Sequence, residues 1–167
     1  MEPSREQPQD RPAEILGDRE FVVAGDEQHP FVEAVVDVEP RHVAPLADAL
    51  SAAVGRFSAL ELTSTEDVVR LARVRDLHDR FAEAALAQSG LRPRLTFALA
   101  QALTEAASAY VGERDVESYQ SPEERERIAV LRELTGPLFD LTADCHRAAD
   151  ELQARIDDGL PVFLLRR

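Results

Sequence analysis

His78 is the first candidate for chemistry in this sequence. It lies between Val74 and Phe81 in a run of apolar residues at helical spacing, which predicts a place at the buried seam of a helix. A histidine in such a seam must find a hydrogen-bond partner or lose its solvation at a cost of about 1 to 3 kcal/mol. Two interpretations follow. His78 is a ligand, base or pH-sensitive contact in a helical core or dimer interface, or it is a hydrogen-bonded, half-exposed residue at the seam's edge.

Arg73 precedes His78 on the same predicted helix in the order Arg-x4-His. This spacing resembles the signature of HEPN domains, all-helical modules that often dimerise so that two motifs form a metal-independent RNA-cleaving site. The resemblance covers six residues, and it departs from the family at Val74, where a polar side chain is usual. It implies that His78 would act in acid-base chemistry on the ribose hydroxyl or leaving group, and that Arg73 would stabilise the phosphate charge.

A carboxylate-histidine metal site is the other chemistry that a helical bundle can hold, and it requires inward Glu-x-x-His pairs. The sequence contains this spacing once, at Glu39 and His42, and not the two pairs that such a site needs, while the acids near His146, such as Asp150, fall on a predicted outward face. We therefore expect no metal and no cofactor. Cys145 is the only cysteine, and its predicted direction differs from that of His146, so we expect a buried, unreactive thiol.

Residues 121–158 show the longest regular pattern and predict the helix on which the other elements pack. Ser121 and Glu124 form a capping box around Pro122, which suits the first helical position. The pair Gly136-Pro137 predicts a kink or a break. The predicted buried face consists of Ile128, Leu131, Thr135, Leu138, Thr142, Cys145, Ala149, Leu152 and Ile156.

Three shorter helices are predicted in residues 42–60, 63–88 and 93–111. Strands are predicted in residues 20–24 and 31–38, and a third, in residues 161–165, is expected to join this hairpin. The predicted fold class is therefore mainly α: an up-and-down four-helix bundle with a small N-terminal β-hairpin and a C-terminal strand. A break at Gly136-Pro137 would make five helices.

The composition of the chain limits the binding partners and the cellular compartment that we expect for it. A chain of 167 residues suits one domain, here residues 18–167, after a polar segment 1–17 that we expect to be a disordered acidic tail. The net charge of -13 makes nucleic acid an unlikely partner, and no apolar run is long enough to span a membrane. The single cysteine and the absence of a signal pattern predict the cytoplasm, and the use of arginine without lysine suggests a GC-rich bacterial genome.

Three functions stay open from the sequence. The sequence shows no position where polar groups converge, so we expect a non-enzymatic interaction or regulatory module that self-associates, with a homodimer as its form. The first alternative is a HEPN-like ribonuclease using Arg73 and His78. The second is a bundle that binds a small apolar ligand, for which the candidate lining residues are Phe57, Phe81, Phe97 and Phe139.

Overall fold

A computed structural model of the protein describes residues 19–61, 64–114 and 120–160. This described part is mainly helical and carries a small three-stranded antiparallel sheet near its start. The predicted tail, residues 1–17, and the predicted strand, residues 161–165, lie outside it. The elements are β1 (Glu20–Gly25), β2 (Pro30–Val35), α1 (Pro40–Ser58), α2 (Thr65–Leu86), β3 (Arg94–Leu95), α3 (Phe97–Arg114) and α4 (Pro122–Asp157).

The sheet has the order β1-β2-β3, so β2 is central and β1 forms one edge. The predicted hairpin is confirmed, since β1 and β2 pair antiparallel with Phe21 opposite Ala34. The third described strand is β3, whose Leu95 also pairs with Ala34. The sequence had placed these residues at the start of the third helix, which is wrong. The hydroxyl of Thr96 accepts from the Leu99 amide at 3.3 Å, and the helix begins only at Phe97.

Within residues 31–38, which the sequence predicts as one strand, Ala34, Val36 and Val38 are buried, and so is Val35 at the end of β2. The ladder continues beyond β2 at Val38, whose amide donates to the Leu91 carbonyl at 2.8 Å and whose carbonyl accepts from the Leu91 amide at 3.0 Å. Gly90 permits this pairing, since a Cβ at that position would lie 2.9 Å from the Val38 carbonyl oxygen. The antiparallel pairing thus continues past β2 to Val38, two residues before α1 begins.

α4 is a single helix of 36 residues that runs through Gly136 and Pro137, so the predicted break, and with it a fifth helix, is wrong. The hydroxyl of Ser121 accepts from the Glu124 amide at 3.1 Å, as the capping pattern predicts. At the other end Gly159 has a φ of 67°. The Leu160 amide donates to the Arg155 carbonyl at 2.9 Å, and this bond forms part of a Schellman motif.

The buried face of α4 is offset from the predicted one. Leu134 and Leu141 are fully buried, whereas Thr135 and Thr142 lie at the edge and donate their hydroxyls to the carbonyls of residues 131 and 138 at 3.0 and 2.9 Å. At each of these positions, both the leucine and the threonine beside it fit a spacing of three or four residues. The leucine is buried because its larger apolar side chain gains more free energy on leaving water. The predicted face also included two residues that are exposed, Ala149 and Ile156.

The helices pack with α1 between α2 and α3, and with α4 against α3, α1 and β2. α2 makes less contact with α3 than with α1, so the up-and-down order of the bundle stays a prediction. Among the described helices, none has the length and apolar character needed to cross a membrane. The largest fully buried apolar side chains are Leu46, Leu50, Leu77, Phe81, Leu95, Leu103, Leu131, Leu134, Leu138 and Leu141.

Candidate functional site

His78 lies at the edge of the buried face of α2. Its neighbour Leu77 occupies the seam with 1% of its surface exposed, whereas the His78 side chain is 30% exposed. Its Nδ1 lies 3.3 Å from a carboxylate oxygen of Asp79. The structure therefore fits the second interpretation, a half-exposed and hydrogen-bonded histidine. Arg73 is exposed on the preceding turn, and the structure leaves its proposed role in phosphate binding a prediction.

The buried histidine is His42, near the start of α1. It is fully buried, and neither ring nitrogen has a hydrogen-bond partner within the described part of the chain. Burial lowers its pKa below the usual 6.5, and the positive charge of Arg41 acts in the same direction. His42 is therefore neutral at neutral pH. The sequence carries a sign of this inward direction, because His42, Leu46 and Leu50 follow one another at steps of four on one helix face.

Five polar residues from three helices meet at one end of the bundle, and we call them the Tyr110 cluster: Asp48, Tyr110, Arg114, Glu124 and Arg127. The Tyr110 hydroxyl donates to the Glu124 carboxylate at 3.0 Å, and the Arg114 guanidinium lies 3.7 Å from the Tyr110 ring centre. Arg127 pairs with Glu124, and its Nε lies 2.7 Å from Asp48. The expectation that polar groups converge nowhere is therefore wrong.

The chemistry of the Tyr110 cluster is that of a junction between helices. Its two arginines balance its two carboxylates, so it attracts no further ion strongly. Burial raises the pKa of Tyr110, which is 4% exposed, so its hydroxyl stays protonated and acts as a donor. Local spacing reveals only the pairs within α3 and within α4, because the cluster as a whole forms where α1, α3 and α4 meet.

Cys145 and His146 point in different directions, as predicted. Cys145 is 3% exposed, and burial raises the pKa of its thiol to about 11. The His146 side chain is 58% exposed, and its Nδ1 lies 3.2 Å from Asp150. Within the described ranges, no three histidine, cysteine or acidic side chains lie close enough to hold a metal ion. The absence of a metal and a cofactor stays a prediction.

The four candidate phenylalanines occupy different surroundings. Phe81 is fully buried in the core. Phe57 lines a cavity of about 200 Å³ between α1, α2 and α3, where the Arg70 guanidinium lies 5.3 Å from its ring centre. Phe97 and Phe139 share an open surface cleft with other residues of α4. The candidate residues therefore do not line one common cavity.

The cleft that holds Phe97 and Phe139 belongs to a continuous exposed surface. Phe139 is 57% exposed in the middle of α4, and the ring of His146 meets the ring of Phe97 edge to face at 5.2 Å between centres. Exposed residues continue along α4 at alternating spacings of three and four. We call this set the α4 stripe: Ala129, Arg132, Gly136, Phe139, Ala143 and His146.

A second concave surface, the sheet-α4 groove, lies between the hairpin and the C-terminal half of α4. Its volume is about 310 Å³. Arg19 forms an ion pair with Asp144 beside it. The lining residues are Phe21, Val22, Val23, Val32, Asp144, Arg147, Ala148 and Glu151.

No protein-family model matches the sequence, and comparisons with curated proteins and with solved structures also find no match. The function must therefore be argued from the chain itself.

Proposed function

We propose that this protein is a non-enzymatic interaction module that forms a homodimer through the α4 stripe. The observation that supports this proposal most directly is Phe139, an aromatic residue that is 57% exposed in the middle of a long helix. With Phe97 and His146 it lines an open cleft. An aromatic residue in an exposed, continuous surface of this kind is typical of protein-protein contacts.

The spacing of the α4 stripe suits a second helix. Alternating steps of three and four repeat every seven residues, which is the pattern of a helix seam. A two-fold axis between Phe139 and Ala143 would set two copies of α4 antiparallel, with Phe139 of one copy beside Ala143 of the other. The same axis would bring Arg132 beside Asp150. The stripe is therefore complementary to itself in size.

Gly136 gives a further argument for close helix contact. Glycine in an exposed helix interior costs about 0.5 to 1 kcal/mol relative to alanine. Apart from its chain neighbours, a Cβ at Gly136 would meet nothing within 4 Å in the monomer, and the ring of Pro137 disfavours a larger residue before it in a helix. A partner helix that approaches α4 closely would use the space that this glycine leaves.

The α4 stripe would supply part of the area that a stable interface needs. A specific complex buries roughly 800 Å² on each partner. At about 1.5 Å per residue, a helix of 36 residues is roughly 54 Å long, and the stripe occupies its central half. Side chains of α3, such as Phe97, would widen the contact.

Sedimentation velocity across micromolar concentrations tests the proposal. The wild-type protein is expected to be a dimer, and Phe139→Asp is expected to raise the dissociation constant at least about thirtyfold, the effect of losing a central anchor. Leu86→Asp is the matched control, because Leu86 is 88% exposed at the end of α2 and lies outside the stripe. A monomeric wild type that also captures no protein partner would contradict the proposal, as would a dimer that Phe139→Asp leaves intact.

The proposal includes a reducing, cytoplasmic location, which the single buried Cys145 supports because it has no cysteine partner in the chain. Native mass spectrometry of the purified protein separates this proposal from the apolar-ligand alternative. A dimer without added mass supports the interaction module. A monomer that carries a small molecule would favour a ligand site instead.

A further inference from the structure

α2 carries a row of exposed residues on the side away from its buried face. They follow one another at alternating steps of four and three, which places them on one line along the helix. Val68 at one end is 52% exposed, and Leu86 at the other end is 88% exposed. We call this set the α2 stripe: Val68, Ala72, Arg75, Asp79, Ala82 and Leu86.

The α2 stripe is symmetric about Leu77. Its members form three pairs at equal distances on either side of that residue: Val68 with Leu86, Ala72 with Ala82, and Arg75 with Asp79. When two copies of a helix lie antiparallel about a two-fold axis, each position faces the position at the same distance on the other side of the axis. With the axis at Leu77, an apolar residue faces an apolar residue, alanine faces alanine, and arginine faces aspartate. The α2 stripe is therefore complementary to itself in size and in charge.

The charged pair at the centre favours contact between copies over contact within one helix. Arg75 precedes Asp79 by four residues, and the base-first order is the less favourable one for an ion pair within a helix. In the single chain, Nη2 of Arg75 donates to the Ser58 hydroxyl at 3.3 Å, and Asp79 lies 3.3 Å from Nδ1 of His78. The two-fold axis would create the pair of Arg75 with Asp79 twice, and these two pairs would set the register and the antiparallel direction.

The outer positions of the α2 stripe supply apolar area and close approach. Contact would cover Val68 and Leu86, two of the most exposed large apolar side chains in the described part of the chain. The short side chains of Ala72 and Ala82 let two helices approach closely between these ends. The stripe has no aromatic anchor, and exposed ion pairs contribute little free energy, so this contact is weaker than the one through the α4 stripe.

We propose that the α2 stripe binds the α2 stripe of a second copy, antiparallel about a two-fold axis at Leu77. This contact uses a different helix from the α4 stripe and goes beyond the proposed homodimer. A protein with two separate two-fold contacts assembles into a closed tetramer if their axes are perpendicular and intersect, and into an open chain otherwise. Because the α2 contact is the weaker one, it joins dimers only above the micromolar concentrations at which Leu86→Asp serves as a control.

A charge exchange tests the α2 contact in a background without the α4 contact. Sedimentation equilibrium of Phe139→Asp is expected to show a monomer at micromolar concentration and a dimer as the concentration rises. Adding Arg75→Asp places aspartate opposite aspartate at both central pairs and is expected to raise the dissociation constant at least about fivefold. Asp79→Arg is expected to act in the same way, and Arg75→Asp with Asp79→Arg is expected to restore association. Arg80→Asp is the matched control, since it makes the same charge change on α2 outside the stripe.

The outcomes separate this proposal from the proposed dimer through α4. A Phe139→Asp protein that stays monomeric throughout the concentration series overturns the α2 contact, and so does an association that the double exchange fails to restore. Circular dichroism checks that each variant is folded. If the wild type and Phe139→Asp associate equally, and Arg75→Asp weakens both, then the α4 dimer fails while the α2 contact stands.

Discussion

The hydroxyl of Tyr110 connects α3 to α4 through the Glu124 carboxylate, which Arg127 in turn connects to α1. Tyr110→Phe removes this donor and leaves the ring in place. We expect the free energy of unfolding to fall by about 1 to 2 kcal/mol, the range for a partly buried hydrogen bond to a charged group. Urea denaturation measures it as a lower midpoint with an unchanged slope. An unchanged midpoint would show that water replaces the bond without loss.

His42 makes the stability depend on pH in a definite direction. Burial lowers its pKa in the folded protein below 6.5, whereas the unfolded chain keeps the ordinary value. Below about pH 6.5 the unfolded state therefore binds a proton that the folded state excludes. As the pH decreases, the unfolding free energy decreases too, until the pH reaches the pKa of His42 in the folded protein. The charged groups that act on the ring are Arg41, Glu39 and, from α4, Glu133.

His42→Leu is expected to remove this part of the acid sensitivity and to raise the unfolding free energy at neutral pH by about 1 kcal/mol, because two buried nitrogens lack partners. Urea denaturation at a series of pH values measures both effects. His29→Gln serves as the control, since the His29 side chain is 83% exposed. The same acid dependence in His42→Leu and in the wild type would show that another group causes it.

Single residues were predicted less well than the helices that carry them. The pattern of α2 allowed either Leu77 or His78 at the seam, since both fit steps of three and four, and burial selects the leucine. For the same reason the sequence predicts Thr135 on the buried face of α4, whereas the structure buries Leu134. The Tyr110 cluster as a whole was not predictable, because it depends on which ends of three helices meet.

A substitution in α4 tests the dimer at the scale of the helix. Gly136→Ala is expected to change the stability of each monomer little, because the gain of about 0.5 to 1 kcal/mol for replacing a helical glycine is opposed by crowding of the new methyl group against the ring of Pro137. In the dimer the same methyl group would separate the two copies of α4 and weaken association. Unfolding at low protein concentration measures the change in stability, and sedimentation velocity measures the loss of affinity.

Gly55→Ala is the matched control in α1. Its Cβ also meets nothing within 4 Å and no proline follows it, so Gly55→Ala is expected to stabilise the helix by about 0.5 to 1 kcal/mol while leaving the dissociation constant unchanged. If neither variant affects association, then Gly136 is not at an interface. The α4 stripe would then have to be abandoned as the contact surface.

The elements were predictable where the signal is local. The Ser121 cap and the first helix, predicted in residues 42–60 and observed as Pro40–Ser58, depend on neighbouring residues, and the helix ends consequently fall within a few residues of their predicted positions. β3 was not predictable, because two residues become a strand only by pairing with Ala34 and Val35, which lie far away in the sequence. Local pattern favours a helix there, and tertiary contact overrides it.

At the scale of the whole molecule, the packing separates the surfaces used in the two proposals. α4 buries one face against α3 and α1, forms the groove with the sheet at its C-terminal half, and exposes the α4 stripe beside its buried face. α2, with Arg73 and His78, packs mainly on α1 and carries the α2 stripe on its exposed side. A dimer through α4 would therefore not need to bring two copies of the Arg-x4-His motif together.

The net charge of the whole chain decides our expectation for the ribonuclease alternative. A protein with a charge of -13 repels a polyanion unless a basic surface compensates, and His78 contacts Asp79 at the edge of α2. We expect wild-type protein and His78→Ala to leave a labelled single-stranded RNA equally intact in metal-free buffer. Cleavage by the wild type that His78→Ala abolishes, in a variant with unchanged circular dichroism, would assign the chain to the HEPN-like ribonucleases. Because Arg73→Ala should then lose the same activity, that second variant would separate a paired catalytic site from a contaminating nuclease.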